Sequence, residues 1–191
     1  MGNILKRLLL FAWFLLSGTC LWAQDFVIHD GFVSFFGEKS FENVRADNHE
    51  VGSVIHSKTG DIEFHAFIKS FHFKKESIEK AVNEKYMESD RYPETDFTGK
   101  ILNLADIDFN KPGTYPIMVG RNLTIHNVTR QVSHKGILPV TEDGLMAKSQ
   151  FKVKLKDLKI RSPKLFGRKL VTEINVSVDM KYTLENVTKK D

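Results

Sequence analysis

Cysteine is almost missing from this 191-residue chain: Cys20 is the only one. Once the leader described below is removed, no disulfide can brace the fold, and stability rests on packing. No apolar run approaches the roughly 20 residues a helix needs to cross a bilayer. Charge of one sign is not in large excess either. The chain has 28 Lys and Arg against 24 Asp and Glu, net +4, with basic and acidic residues alternating and no aromatic interleaving, so nucleic acid is excluded as a partner. Catalytic signatures are lacking as well. There is no Gly-x-Ser-x-Gly elbow for a serine nucleophile. The seven histidines (His29, His49, His56, His65, His72, His126 and His134) show no close pair at metal-ligand spacing, so each reads as a surface or strand residue and no metal is expected. Asp106 and Asp108 form a carboxylate pair, but in a segment that reads as a solvated loop. The residues supply no catalytic constellation, so an enzyme is not expected, and they call for no cofactor.

What is present begins with a leader. Lys6-Arg7 is a short basic head, Leu8–Leu16 an apolar run, and Leu21-Trp22-Ala23-Gln24 the exit, which together describe a secretory signal peptide over residues 1–23. The residues before Cys20, Ser17-Gly18-Thr19, lack the usual lipidation pattern, so cleavage after Ala23 is expected, with loss of the cysteine. The mature chain, residues 24–191, then forms one domain. It keeps a formal charge of +2 after Lys6 and Arg7 are removed. It has no transmembrane helix and is exported to a periplasm or to the medium.

From Asp25 onward the apolar pattern has period two. Val27–Phe36 reads as a strand broken at Gly31, and Glu38–Glu50 as a loop or irregular helix. Val51–His56 and Asp61–Phe71 form a hairpin around Ser57-Lys58-Thr59-Gly60. Glu76–Met87 is a helix with Ile78, Val82 and Tyr86 on one side. Pro93 forces the chain out of the helix, and a strand restarts near Thr95. Thr114–Ile125, with a bulge or bend expected at Gly120, pairs with Val128–Val140. Leu170–Leu184 is apolar at every even position except Thr172. Its partner, beginning Phe151, Val153, Leu155, slips phase before Leu158 and Ile160, which predicts a β-bulge near Asp157. Strands of this length, about eight of them with one inserted helix, favour an all-β, closed antiparallel barrel. The same alternation also fits an outer-membrane barrel with Lys152, Lys154, Glu173 and Asp179 lining a lumen. The mid-chain helix and the polar Thr188-Lys189-Lys190-Asp191 tail weigh against it.

Three motifs in order carry a resemblance. They are Tyr86-Met87-Glu88-Ser89-Asp90-Arg91-Tyr92-Pro93, then Phe97-Thr98-Gly99, then Gly120-Arg121-Asn122-Leu123-Thr124-Ile125-His126-Asn127-Val128-Thr129. The chain resembles the YceI-like family from about Asp25 to about Leu184. That resemblance implies a lipocalin-like barrel, secreted or periplasmic, that holds a polyisoprenoid or similar long-chain lipid. Members often carry a histidine early in the helix, where this chain has Ala81, so no role is assigned there. The sequons beginning at Asn122, Asn127, Asn175 and Asn186 carry no meaning in the bacterial envelope that the resemblance implies.

With the apolar face turned inward, the expected tunnel positions are Ile62, Phe64, Ile117, Val119, Phe151, Val153, Leu155, Ile174, Val176, Val178, Met180 and Tyr182. A prenyl, quinone-like or fatty-acyl chain would bind there by leaving water, at about 0.8 kcal/mol per methylene, with its polar head at the mouth. Arg91 is the head-group candidate, against the reading of an ordinary surface arginine. Two alternatives stand: a protein-interaction module whose core is filled by its own side chains, and a lipid-modifying enzyme. The sequence leaves open whether two barrels pair as a homodimer.

Overall fold

The structure, a computed structural model, describes residues 25–37, 44–162, 164–165, 168–169 and 171–185. The expected leader, Leu170 and the sequon at Asn186 lie outside them. The elements in chain order are β1 (Asp25–Gly37), β2 (Val44–His56), β3 (Asp61–Phe67), a two-residue β4 (His72–Phe73) and helix α1 (Glu76–Ala81). They continue with β5 (Glu94–Ile101), β6 (Gly113–Ile125), β7 (Val128–Thr141), β8 (Gly144–Lys154), the short β9 (Lys164–Leu165) and β10 (Arg168–Lys169), and β11 (Glu173–Glu185). Among these residues no helix is long and apolar enough to cross a membrane.

Eight strands form one antiparallel ring in the order β1, β11, β8, β7, β6, β5, β3, β2, and β2 pairs back onto β1. Closure leaves no long edge exposed. β4 pairs with β2 outside the ring, and β9 with β10 in a separate ribbon. The expected break at Gly31 is present as two offsetting bulges. Between Ile28↔Ser53 and Gly31↔Val51 the extra residue is on β1; between Gly31↔Val51 and Val33↔Asn48 it is on β2. The first shift turns Gly31 inward against Met180, whose sulfur would collide with any Cβ there. The second is held by Asn48, buried, whose Oδ1 accepts from the Glu50 amide at 2.7 Å.

Four local expectations are corrected. Residues 44–50 are strand, not loop, because their inward positions carry Ala46 and Asn48, which hide the apolar rhythm. β8 ends at Lys154, and Leu155–Leu158 is a tight 3₁₀ turn closed by Lys159 in the left-handed region (φ 57°). The phase change after Leu155 therefore comes from this turn, with Ile160 N–H donating to the Leu155 carbonyl, and not from a bulge at Asp157. β6 and β7 pair without a register shift from Gly113↔Val140 to Ile125↔Val128, so Gly120 marks no bulge. Its missing side chain instead leaves room for the Val132 carbonyl and Leu102. The helix is α only to Ala81; Val82–Tyr86 continue as a wider π turn.

Apolar residues gather at the two ends of the ring. At one end Phe26, Ile55, Ile101, Leu138, Val140 and Leu145 pack together, and Ile107 and Phe109 from the loop after β5 press onto them. Phe109 stacks on Phe26 with ring centroids 5.8 Å apart. At the other end Leu155, Leu158, Ile160 and Val171 meet Tyr86 and Met87 just beyond α1. Each fully buried side chain of this size contributes about 1.5–3 kcal/mol.

Candidate ligand cavity

Between these two clusters lies a cavity of about 520 Å³. Its wall is built by the inward-pointing residues of the strands. All twelve positions expected from the alternation lie on it: Ile62 and Phe64 of β3, Ile117 and Val119 of β6, Phe151 and Val153 of β8, Leu155 just after it, and Ile174, Val176, Val178, Met180 and Tyr182 of β11. The intervening residues Glu63, Lys152, Lys154, Glu173, Lys181 and Thr183 are exposed. Lys154 pairs with Glu173 at 3.9 Å and Lys148 with Asp179 at 3.0 Å across β8 and β11 on the outside. The charges that an outer-membrane barrel would have placed in its lumen therefore face outward, and a lipid-facing wall would set them in hydrocarbon. Among the described residues the interior is hollow rather than filled by side chains.

Sequence reasoning missed part of the wall. The helical segment contributes Ile78, Ala81, Val82, Tyr86 and Met87, which cover one end of the cavity, and β1 and β4 contribute Phe35 and Phe73. The helix period was legible, but its direction needed the closed ring. Arg91 is not on the wall. It is exposed, 4.0 Å from Glu88 and 5.1 Å above the Tyr92 ring.

The few polar groups of the interior are nearly all paired. Ser53 Oγ and Tyr182 Oη lie 2.8 Å apart, and Ser53 also donates to the Glu63 carbonyl at 2.6 Å. Thr95 donates to the Thr124 carbonyl and Ser149 to that of Lys135. His134, on the wall between Val119 and Phe151, stacks on Phe151 at 4.0 Å, and its buried Nε2 has no hydrogen-bond partner. Burial pushes the His134 pKa down, favouring the neutral ring.

Burial pushes the Tyr182 phenol up to about 12, against the opposing pull of the Ser53 hydrogen bond. The folded state thus holds this proton more tightly than the unfolded chain, where the ordinary value is 10.0. Its stabilising effect is complete below the unfolded value and is lost as pH rises from about 10 to about 12, on the order of 2–3 kcal/mol. Urea unfolding across that window should show the fall, and Tyr182→Phe should flatten it. An equal fall in both proteins would assign it elsewhere.

Among the described residues one grouping could hold a metal ion: His65, Glu94 and Asp96, with ligand atoms within 4.8 Å of one another. It lies outside the cavity wall, and His65 Nδ1 is already 2.8 Å from Asp96 Oδ1. Asp106 and Asp108 serve their own loop, Asp108 accepting from the Asn110 amide and Asp106 from Asn103.

Comparison with known proteins finds a match to the YceI-like domain over residues 29–184. No curated protein matches the sequence. Among solved structures, a polyisoprenoid binding domain from Saccharophagus degradans implicated in plant cell wall breakdown superposes with a TM-score of 0.72 at 12% identity, covering 85% of this chain and 99% of that one. Burkholderia cenocepacia BcnA gives 0.66 at 12% identity over 79% of this chain and 95% of its own. The Campylobacter jejuni YCEI protein gives 0.55 at 14%, over 75% and 88%. At these identities the likeness is one of fold.

Proposed function

The chain belongs to the YceI-like family, and from that premise we propose that it is an exported carrier whose barrel interior holds an isoprenoid, quinone-like or fatty-acyl chain. The observation that carries this reading is the cavity of about 520 Å³, walled by aliphatic and aromatic side chains and covered by the helical segment. Its size falls within the roughly 300–1,000 Å³ of small-molecule sites. Each methylene moved into such a wall from water gains about 0.8 kcal/mol, so a chain of a dozen carbons gains about 10 kcal/mol before ordering costs. That is enough for tight binding without a specific polar contact. The polyisoprenoid binding domain named above shares the fold and supports the ligand class. The leader over residues 1–23 supports export, with a mature chain beginning at Gln24.

The test is lipid extraction and mass spectrometry of protein purified from the envelope of its own host, with uptake of a hydrophobic fluorophore measured alongside. A co-purifying long-chain lipid and saturable uptake are expected. Protein that carries no lipid and takes up no fluorophore overturns the carrier reading. N-terminal sequencing of the same sample checks export: a chain still starting at Met1 overturns that part alone.

A further inference from the structure

We propose that His134 is the polar anchor of the cavity, hydrogen-bonding a neutral hydroxyl or carbonyl group of the bound lipid, so that the lipid lies with its polar group halfway down the barrel and its tail towards α1. This rests on the carrier reading and adds the chemical class and direction of the ligand.

The polar groups of the interior single His134 out. Ser53, Tyr182, Thr95 and Ser149 are each partnered within the protein. Ser77 and Arg161 also border the cavity but are exposed. Lys148 sends its ammonium to Asp179. His134 alone of these is an imidazole, and its Nε2 is buried without a partner. A buried polar atom left unpaired is costly, and an apolar side chain at this position would stack on Phe151 equally well. Rotation about the Cβ–Cγ bond exchanges the two edges of the ring, so either nitrogen can be presented to a ligand. A neutral imidazole offers one N–H donor and one bare acceptor, which suits a hydroxyl or a carbonyl.

Position sets the direction. His134 is the seventh of the fourteen residues of β7, opposite Val119, and so lies midway between the ends of the ring. The wall from there to α1 is mainly apolar, with Leu123, Ile125, Val132, Val153 and Leu158; of its polar groups Thr95 is bonded to the Thr124 carbonyl, and Ser77 and Arg161 are exposed. Towards the other end lies the Ser53–Tyr182 pair. No buried cation lines the cavity among the described residues, so an anionic head at this depth would stay uncompensated.

The test compares three probes on the purified chain by fluorophore displacement: geranylgeraniol, the hydrocarbon of the same carbon skeleton, and geranylgeranyl diphosphate. Geranylgeraniol is expected to bind about tenfold tighter than the hydrocarbon, as one hydrogen bond to an otherwise unpaired group allows, and tighter than the diphosphate. His134→Phe, which keeps the ring stack, should bring the alcohol down to the level of the hydrocarbon and leave the hydrocarbon unchanged. In the unaltered protein carrying isotope-labelled histidine, the alcohol should move the His134 ring-nitrogen signals and the hydrocarbon should not. Equal binding of alcohol and hydrocarbon, tightest binding of the diphosphate, a preference that survives His134→Phe, or ring signals that ignore the alcohol each overturn this inference and leave the carrier intact. Failure of every probe to bind, the hydrocarbon included, removes both.

Discussion

Replacing Ala147 by Trp should cut uptake of a hydrophobic fluorophore at least about tenfold and leave the fold standing. Ala147 faces the cavity from β8, opposite Met180 of β11, and is the smallest side chain on that part of the wall. An indole projected from it occupies space a ligand needs, and displacing two or three methylenes forfeits about 2 kcal/mol, more than the 1.4 kcal/mol of a tenfold change. Because the indole enters a hollow and not a filled core, the thermal midpoint should hold or rise. Lys152→Trp is the control. It lies on the same strand but points to solvent, so uptake should be unchanged. Full uptake by the Ala147 variant, with the fold intact, would mean that the hollow is not where the probe goes.

The second large effect is on stability. Gly144→Ala is expected to cost about 3 kcal/mol or more. Gly144 closes the Glu142-Asp143 turn, pairs with Thr141 and sits at φ +143°, a conformation side chains rarely adopt. A Cβ there would come closer than 3.0 Å to the Tyr182 carbonyl oxygen, which is backbone and cannot swing aside. Backbone strain of about 1–3 kcal/mol and the overpacking act together. Gly113→Ala supplies the contrast. Its added Cβ meets only the Tyr115 ring, at 3.6 Å, an ordinary contact, so its cost should stay within about 0.5 kcal/mol. Urea midpoints of the two variants decide. Similar small losses in both would show that β8 can shift to admit the methyl group.

Much of this architecture was legible in the residues. β11 alternates so cleanly from Ile174 to Tyr182 that its inward face could be read directly, and β3, the middle of β6 and the end of β8 gave the rest of the expected wall. Where legibility failed, a physical reason is visible. Ala46 and Asn48 face inward but look polar or small, so the first half of β2 lost its rhythm. A 3₁₀ turn and a bulge produce the same one-residue slip of apolar phase, so Leu155 to Ile160 could not be told apart by spacing. His134 follows the inward phase of Val132, Leu138 and Val140, but Gly136 interrupts the run and exposed Ile137 stands in the opposite phase. The histidine thus looked like a surface residue. Arg91 lies next to motif residues in sequence, yet the corner after the helix carries it away from the cavity.

The two ends of the ring are not equivalent. Phe26, Phe109, Leu138 and Leu145 seal one, and none of them touches the hollow; the other is bounded by the helical segment and the turn after β8. Among the described residues the hollow is thus closed off at the first end. A lipid threaded through it from end to end would have to part that seal. For the carrier proposed above, loading and delivery would then share one route, with donor and acceptor visited in turn.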